Sequence, residues 1–264
     1  NLPHIPVLID PWVDIVYYKN LKRSFITKKI DNHFEKSVLL NAKQVVFVTK
    51  SNEEDYLNKY DFLKNKTNVL YWGYDEDDFK SLPLDLRFKK EEYQKNEKII
   101  VHAGNLFSYQ NPKYLWKQIK AENDNGNNFT IRFIGTVDPI VLDYIKEIGL
   151  LDKVEILGFL PYPGMIKQIS KADILLVCAS EPRHVPGKLF EALRTGNPII
   201  AFGDDNTEVK QIIESTNSGM LFGYNDSCQE FFNNYKNIKP DQTLIKSFDR
   251  ALISKKFFEI IKTL

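Results

Sequence analysis

The chain has 264 residues, 43% of them hydrophobic and 27% charged, and a net charge of +1. That length suffices for one large or two modest α/β domains with a sizeable core, and the near-neutral balance excludes a nucleic-acid binder driven by bulk charge. Two cysteines, Cys178 and Cys228, make no metal or disulfide framework, and no apolar stretch approaches the roughly 20 residues of a membrane span.

Short β-branched runs alternate with helical spacing along the chain. Strands are expected at residues 5–9, 44–48, 68–71, 98–102, 129–134, 154–157, 173–177, 198–202 and 220–222. Between them lie apolar residues at helical spacing, as in 30–42 and 138–148. Nearly continuous apolar strands joined by helices predict parallel sheets covered on both faces. Residues 242–264 read as one helix with Leu244, Phe248, Leu252 and Phe257 or Phe258 on one side.

The charged stretch 81–95 interrupts this rhythm and predicts a domain linker. The expected organisation is a partial first domain at 1–85, a linker at 86–96, a doubly wound, Rossmann-like domain at 97–240, and a C-terminal helix at 241–264 that packs back on the first part. Three strands before the linker fall short of the five or six of a usual sheet. With Asn1 in place of Met at the start, this predicts a chain that begins inside a longer protein and is inactive in isolation.

In an open parallel sheet, ligands bind beyond the carboxyl ends of the strands. The richest such end follows the strand near Cys178, where Ser180-Glu-Pro-Arg-His-Val leads into Pro186-Gly-Lys-Leu-Phe-Glu. Pro186 suits a helix start, Gly187 lets a ligand approach the backbone, and Lys188 adds a cation at a helix end that already attracts anions. Glu191 lies one turn on, where a carboxylate can accept from two ribose hydroxyls. The same residues are also ordinary capping chemistry. A second end, His102-Ala-Gly104-Asn105 through Gln110, is a glycine turn fit for a sugar or phosphate, or simply a βα turn. A third, Gly158-Phe159-Leu160-Pro161, offers an aromatic ring to a flat base or to the packing beneath the loop.

These blocks resemble a family. Ala103-Gly-Asn-Leu-Phe, Gly158-Phe-Leu-Pro, Ala172-Asp-Ile-Leu-Leu and Pro186-Gly-Lys-Leu-Phe-Glu-Ala-Leu-Arg-Thr-Gly-Asn-Pro-Ile-Ile, in that order, resemble the second domain of retaining GT-B glycosyltransferases. These are the group-1, family-4-like enzymes of bacterial polysaccharide assembly. Residues 41–49 and 68–79 resemble the end of their first domain. The resemblance implies that Glu191 holds the donor ribose, Lys188 and Gly187 meet the diphosphate, Gly104 and Asn105 lie near the sugar diphosphate, and Phe159 and Leu160 bracket the base. Asp10, in Ile9-Asp-Pro-Trp, is the candidate catalytic or acceptor contact, or else a cap before Pro11.

Two positions depart from the family pattern. Arg183 stands where a glutamate often faces the donor sugar, beside His184, and Gln110 stands where a basic residue often faces the diphosphate. The expected reaction is sugar transfer from a nucleotide-diphosphate sugar to a glycan or lipid-linked acceptor, with retention, no cofactor and no metal, since the helix end and Lys188 can carry the departing charge. The alternatives are a nucleotide-sugar epimerase using His184 and Glu181, or a binding subunit without catalysis. The expected setting is cytoplasmic. Lys19, Lys22, Arg23, Lys28 and Lys29, interleaved with Tyr17, Tyr18, Phe25 and Ile26, suit contact with an anionic membrane or a plain solvated surface.

Overall fold

A computed structural model describes residues 2–15, 23–80, 82 and 97–263. The chain divides into two compact units, Asn1–Trp72 with Arg250–Leu264, and Gly73–Asp249.

Among its described residues the first unit holds three parallel strands, β1 (Val7–Leu8), β2 (Val45–Phe47) and β3 (Thr67–Val69), in that order across the sheet. The helices α1 (Phe25–Asn41) and α2 (Lys50–Lys59) follow β1 and β2. Both start where the sequence provides an oxygen. Ser24 accepts from the Thr27 N–H and Thr49 from the Asn52 N–H. Val45, Phe47, Leu39, Tyr56 and Leu63 form the core.

Among its described residues the second unit carries six parallel strands: β4 (Lys98–Ala103), β5 (Phe129–Ile134), β6 (Val154–Gly158), β7 (Ile174–Cys178), β8 (Ile199–Phe202) and β9 (Gly219–Phe222). Their order is β6-β5-β4-β7-β8-β9. The helices are α3 (Glu76–Lys80), α4 (Lys113–Asp124), α5 (Pro139–Glu147), α6 (Tyr162–Lys171), α7 (Lys188–Thr195), α8 (Thr207–Ser215), α9 (Gln229–Asn234) and α10 (Gln242–Ile245). Counted from β4, this is the doubly wound order 3-2-1-4-5-6, which reverses direction between β4 and β7. Strands β7 and β8 are buried along their whole length, as continuous apolar runs require of a sheet covered on both faces. Ile100, Trp116, Phe129, Phe133, Phe202 and Phe231 fill one of these faces.

All nine expected strands form, most within one or two residues of their expected ends. The domain boundaries differ. The chain leaves the first unit at Trp72, not at 85, because α3 belongs with the second: Glu76 is ion-paired with Arg194 of α7, whose guanidinium lies 5.1 Å from the centre of the Phe79 ring. The expected linker, 86–96, lies outside the described residues, and it falls within the span of the second unit. The expected single helix at 242–264 is also corrected. It breaks into α10, a 3-10 turn at Lys246–Phe248, and α11 (Arg250–Lys262). The cause is Tyr74, whose N–H donates to the Phe248 carbonyl at 3.0 Å, an acceptor the helix would have used. Asp249 is therefore extended, and α11 groups with the first unit.

Candidate donor site

The strand order reverses between β4 and β7, the place where open α/β sheets bind ligands at the carboxyl ends of the strands, and the loops after both strands are laced together. The Gln110 side chain donates from Nε2 to Ser180 Oγ at 3.1 Å, while its Oε1 accepts from the Phe107 N–H at 3.3 Å. Gln110, expected to face a substrate, is thus engaged at both ends by the protein itself. Asn105 is half engaged: its Oδ1 accepts from the N–H and the hydroxyl of Thr136, at 3.2 and 2.9 Å. Gly104 has φ +142°, so a glycine is required there by the backbone alone.

Gly187 is different. Its φ of −53° suits any residue, and an added Cβ would meet nothing within 4 Å. Neither conformation nor internal packing calls for glycine, which leaves room outside the chain as its use. The N–H groups of Leu189 and Phe190 are taken by the carbonyls of Pro186 and Gly187. The start of α7 therefore faces outward with the N–H groups of Gly187 and Lys188, which no helical carbonyl can reach.

Glu191 is buried, 3% exposed, one turn into α7. Its Oε1 accepts from the Tyr162 hydroxyl at 2.7 Å, and its Oε2 has no hydrogen-bond partner. Lys188 Nζ stands 3.7 Å from Oε1 and 4.7 Å from the centre of the Tyr162 ring. A buried carboxylate oxygen without a donor is costly, and Oε2 keeps free capacity to accept a hydrogen bond. Tyr162, at the first turn of α6, was not among the residues singled out from sequence. It belongs to another βα junction, and nothing local in its sequence announces it.

Arg183 and His184 are exposed on the loop between β7 and α7. Phe159, just beyond β6, is 90% exposed, so it is not an aromatic packed beneath its loop. Leu160 beside it is half-buried. His102, near the end of β4, is buried, with Nδ1 3.1 Å from the Leu176 carbonyl. Burial lowers its pKa, which keeps the ring neutral near pH 7.

The sequence description of glycosyl transferases group 1 matches residues 85–250, more than half of the chain. The chain belongs to that family. Among solved structures it is similar to sucrose-phosphate synthase from Thermosynechococcus elongatus, with 17% identity over 98% of this chain and 67% of that one, TM-score 0.69. It is similar to HepE from Anabaena, solved with UDP, at 19% identity over 99% and 72% of the two chains, TM-score 0.71. HepE is also solved with UDP-glucose. WaaG, a glycosyltransferase involved in lipopolysaccharide biosynthesis, aligns at 15% identity over 96% and 70%, TM-score 0.61. These likenesses establish the α/β architecture with two parallel sheets shared by GT-B glycosyltransferases. A comparison with characterised protein sequences found no significant match.

Against the group 1 pattern, the structure gathers Gly187, Lys188 and Glu191 on one helix end, and brings Gly104, Asn105 and Gln110 to the neighbouring strand end. Asp10 lies in the first unit, just past β1, on a segment fastened from below. The Trp12 N–H donates to Tyr56 Oη at 2.9 Å and the Val13 N–H to Glu35 Oε2 at 3.1 Å. The expectation of metal-free transfer took the chain to hold no Asp-x-Asp motif, and that is corrected: Asp75-Glu76-Asp77 has this form. In that run Asp75 accepts from the Asp77 N–H and Asp77 pairs with Lys80, both at the surface, while Glu76 pairs with Arg194 of α7. Among the described residues no cluster of three His, Cys, Asp or Glu could hold a metal ion, and no helix is long and apolar enough to cross a membrane. Of the basic stretch, Tyr17, Tyr18, Lys19 and Lys22 lie outside the described residues. Arg23 is turned inward, ion-paired with Asp31 and donating to the Val13 carbonyl at 3.3 Å.

Proposed function

We propose that this family member transfers a sugar, with retention and without a metal, from a nucleotide-diphosphate sugar to a glycan or lipid-linked acceptor of cell-surface polysaccharide. The observation that carries the reading is Glu191: a buried carboxylate with one oxygen held by Tyr162 and the other unmatched, one turn into a helix whose start is open to an anion. A ribose diol supplies the missing donors. The diphosphate then lies at the α7 start, beside Lys188, and UDP bound to HepE supports a uridine nucleotide as the first to test. Phe159 and Leu160 are the proposed contacts to the base, and Gly104, Asn105, Arg183 and His184 those around the sugar. Asp10 is the proposed contact to the acceptor.

In the proposed step, the bond from the anomeric carbon to the diphosphate oxygen breaks and a bond to an acceptor hydroxyl oxygen forms. The acceptor's proton passes to the departing diphosphate. Preorganised donors and a cation where that charge develops are the main source of rate. The helix end contributes about 0.3–1 kcal/mol when exposed and up to about 2 when partly buried, so Lys188 has to carry much of the rest. A thermal-shift screen of nucleotide sugars on the full-length protein, followed by product analysis, tests the proposal. Transfer supports it. Epimerised donor, or binding without turnover, replaces it with the epimerase or binding-subunit reading.

The membrane contact is proposed on α1, whose first turns expose Phe25 (79%) and Ile26 (68%) beside Lys28 and Lys29. A basic patch gains about 1 kcal/mol per residue near an anionic surface. Sedimentation with anionic vesicles at low and high salt tests it. Charge reversal belongs at Lys28 and Lys29, since Arg23 is used inside the fold. Equal sedimentation with neutral vesicles would end the idea.

A further inference from the structure

The loop carrying Glu181, Arg183 and His184 has no regular structure, yet it is fixed from a third strand end. Asn206 sits between β8 and α8 and is 1% exposed. Its Nδ2 donates to the Glu181 carbonyl at 2.8 Å and to the His184 carbonyl at 3.0 Å. Its Oδ1 accepts from the Val209 N–H at 3.0 Å and caps α8. The two ends of one amide thus do separate jobs. The oxygen finishes a helix, and the nitrogen fastens a loop that belongs to another βα junction.

The backbone is shaped to bring Asn206 there. Gly203 passes so close to the end of β7 that an added Cβ would stand 2.4 Å from the Ala179 carbonyl oxygen. Asp205 then adopts φ +56°, an uncommon conformation for a non-glycine residue. The other end of the loop is tied by Gln110 to Ser180. Between the ties, Pro182 and Arg183 form an exposed apex, and the Glu181 carbonyl also accepts from the His184 N–H at 3.1 Å.

We propose that Asn206 is a positioning residue: through its Nδ2 it presets the Glu181–His184 turn for the sugar being transferred, while the nucleotide is held separately by α7. This rests on the donor-site reading above. Among the described residues, the Asn206 side chain bonds to Glu181, His184 and Val209 and to neither Lys188 nor Glu191, so its loss is expected to spare the nucleotide and to cost the chemistry.

Asn206→Ser and Asn206→Thr both keep an oxygen suited to capping α8 and both lose the Nδ2 donors. In the full chain, each is expected to keep its melting temperature within about 4 °C of wild type, the shift of about 1 kcal/mol in a protein of this size. UDP affinity is expected to stay unchanged. The rate of UDP release from the best of UDP-glucose, UDP-galactose and GDP-mannose is expected to fall about ten- to a hundredfold, the scale of a misplaced catalytic loop; with GDP-mannose, GDP replaces UDP in both assays. Asn206→Ala, which also loses the cap, is expected to melt lower than either. Wild-type turnover in both capped variants would overturn the proposal, as would nucleotide affinity falling in step with the rate, or outright unfolding of both. A wild-type full-length protein that binds none of the three sugars would instead overturn the donor-site reading, and one that binds but turns over none would overturn the transferase reading; this inference falls with either.

Discussion

Each unit buries two glutamates, and one of each pair, Glu35 and Glu191, could hardly be treated more differently. Glu35 in the first unit is fully buried and receives four donors: the Val13 N–H at 3.1 Å, the Tyr56 hydroxyl at 2.7 Å, and the Tyr60 hydroxyl and Lys59 ammonium both at 2.8 Å. Glu191 in the second unit is nearly as buried, with one oxygen accepting from Tyr162 and the other from nothing. A saturated carboxylate has no capacity left for a ligand, so Glu35 is a staple between α1, α2 and the segment that follows β1. A half-saturated one carries a desolvation cost that the fold leaves unreturned. Burial alone does not separate the two glutamates; the count of donors does.

The largest expected effect lies on the saturated side. Glu35→Ala leaves two phenols and the Val13 N–H without their acceptor and Lys59 with Asp14 alone, and is expected to cost about 3–5 kcal/mol of stability, the price of breaking a buried pair from one side. Denaturant unfolding measures it, and UDP affinity in the surviving folded protein is expected to stay at the wild-type value. A variant as stable as wild type would break the comparison.

Glu191→Ala inverts the pattern. Nucleotide binding is expected to weaken by about 1.5–3 kcal/mol, the range for hydrogen bonds to a charged group, as read by calorimetry. Stability changes less than in Glu35→Ala, because of the two oxygens removed only Oε1 was held, by the Tyr162 hydroxyl. Unchanged affinity would sink the ribose role. Lys188→Ala sharpens the same side: turnover of the nucleotide sugar is expected to drop by about tenfold or more while nucleoside binding holds, since the cation acts on charge that grows during departure. Equal losses for both would make Lys188 a structural residue. Tyr162→Phe is milder, at about 1 kcal/mol of nucleotide affinity for one hydrogen bond, and serves to show whether Oε1 must be held for Oε2 to work.

The smallest effect is alkaline. Burial first, and then the hydrogen bond to Glu35, push the Tyr60 phenol up to about 12, and Tyr56 is pushed up by burial as well. A folded-state pKa above the unfolded value of about 10 gives stability that is complete below pH 10. It is lost as pH rises through about 12. Unfolding monitored between pH 9 and about 12 is therefore expected to turn downward above about 10, and Tyr60→Phe is expected to flatten that fall.

Much of this was legible in the sequence. The strands announced themselves because a parallel sheet buried on both faces demands unbroken apolar runs, and Val45–Phe47 and Ile199–Phe202 are such runs. That Pro186, Gly187, Lys188 and Glu191 gather at one helix start was legible because they stand within six residues. The split after α10 was not, since Leu244, Phe248 and Leu252 keep helical spacing straight across it; the break is decided by Tyr74, far away in the chain. Tyr162, Asn206 and the use of Gln110 as a strap were hidden for the same reason. Each acts on a different strand end from its own, and only the strand order brings those ends together.

The bridge between Tyr74 and Asp249 has a consequence for how the protein is made. It pairs nearly the first residue of the second unit with its last, so residues 73–249 form a closed cassette whose entry and exit are neighbours. Such a segment is continuous in the chain and can fold as soon as it has left the ribosome. The first unit cannot finish on that schedule, because α11 is translated only after the whole cassette. The part made first is thus completed last, and excision at 72/73 and 249/250 is the cut that would release the cassette with its ends already joined.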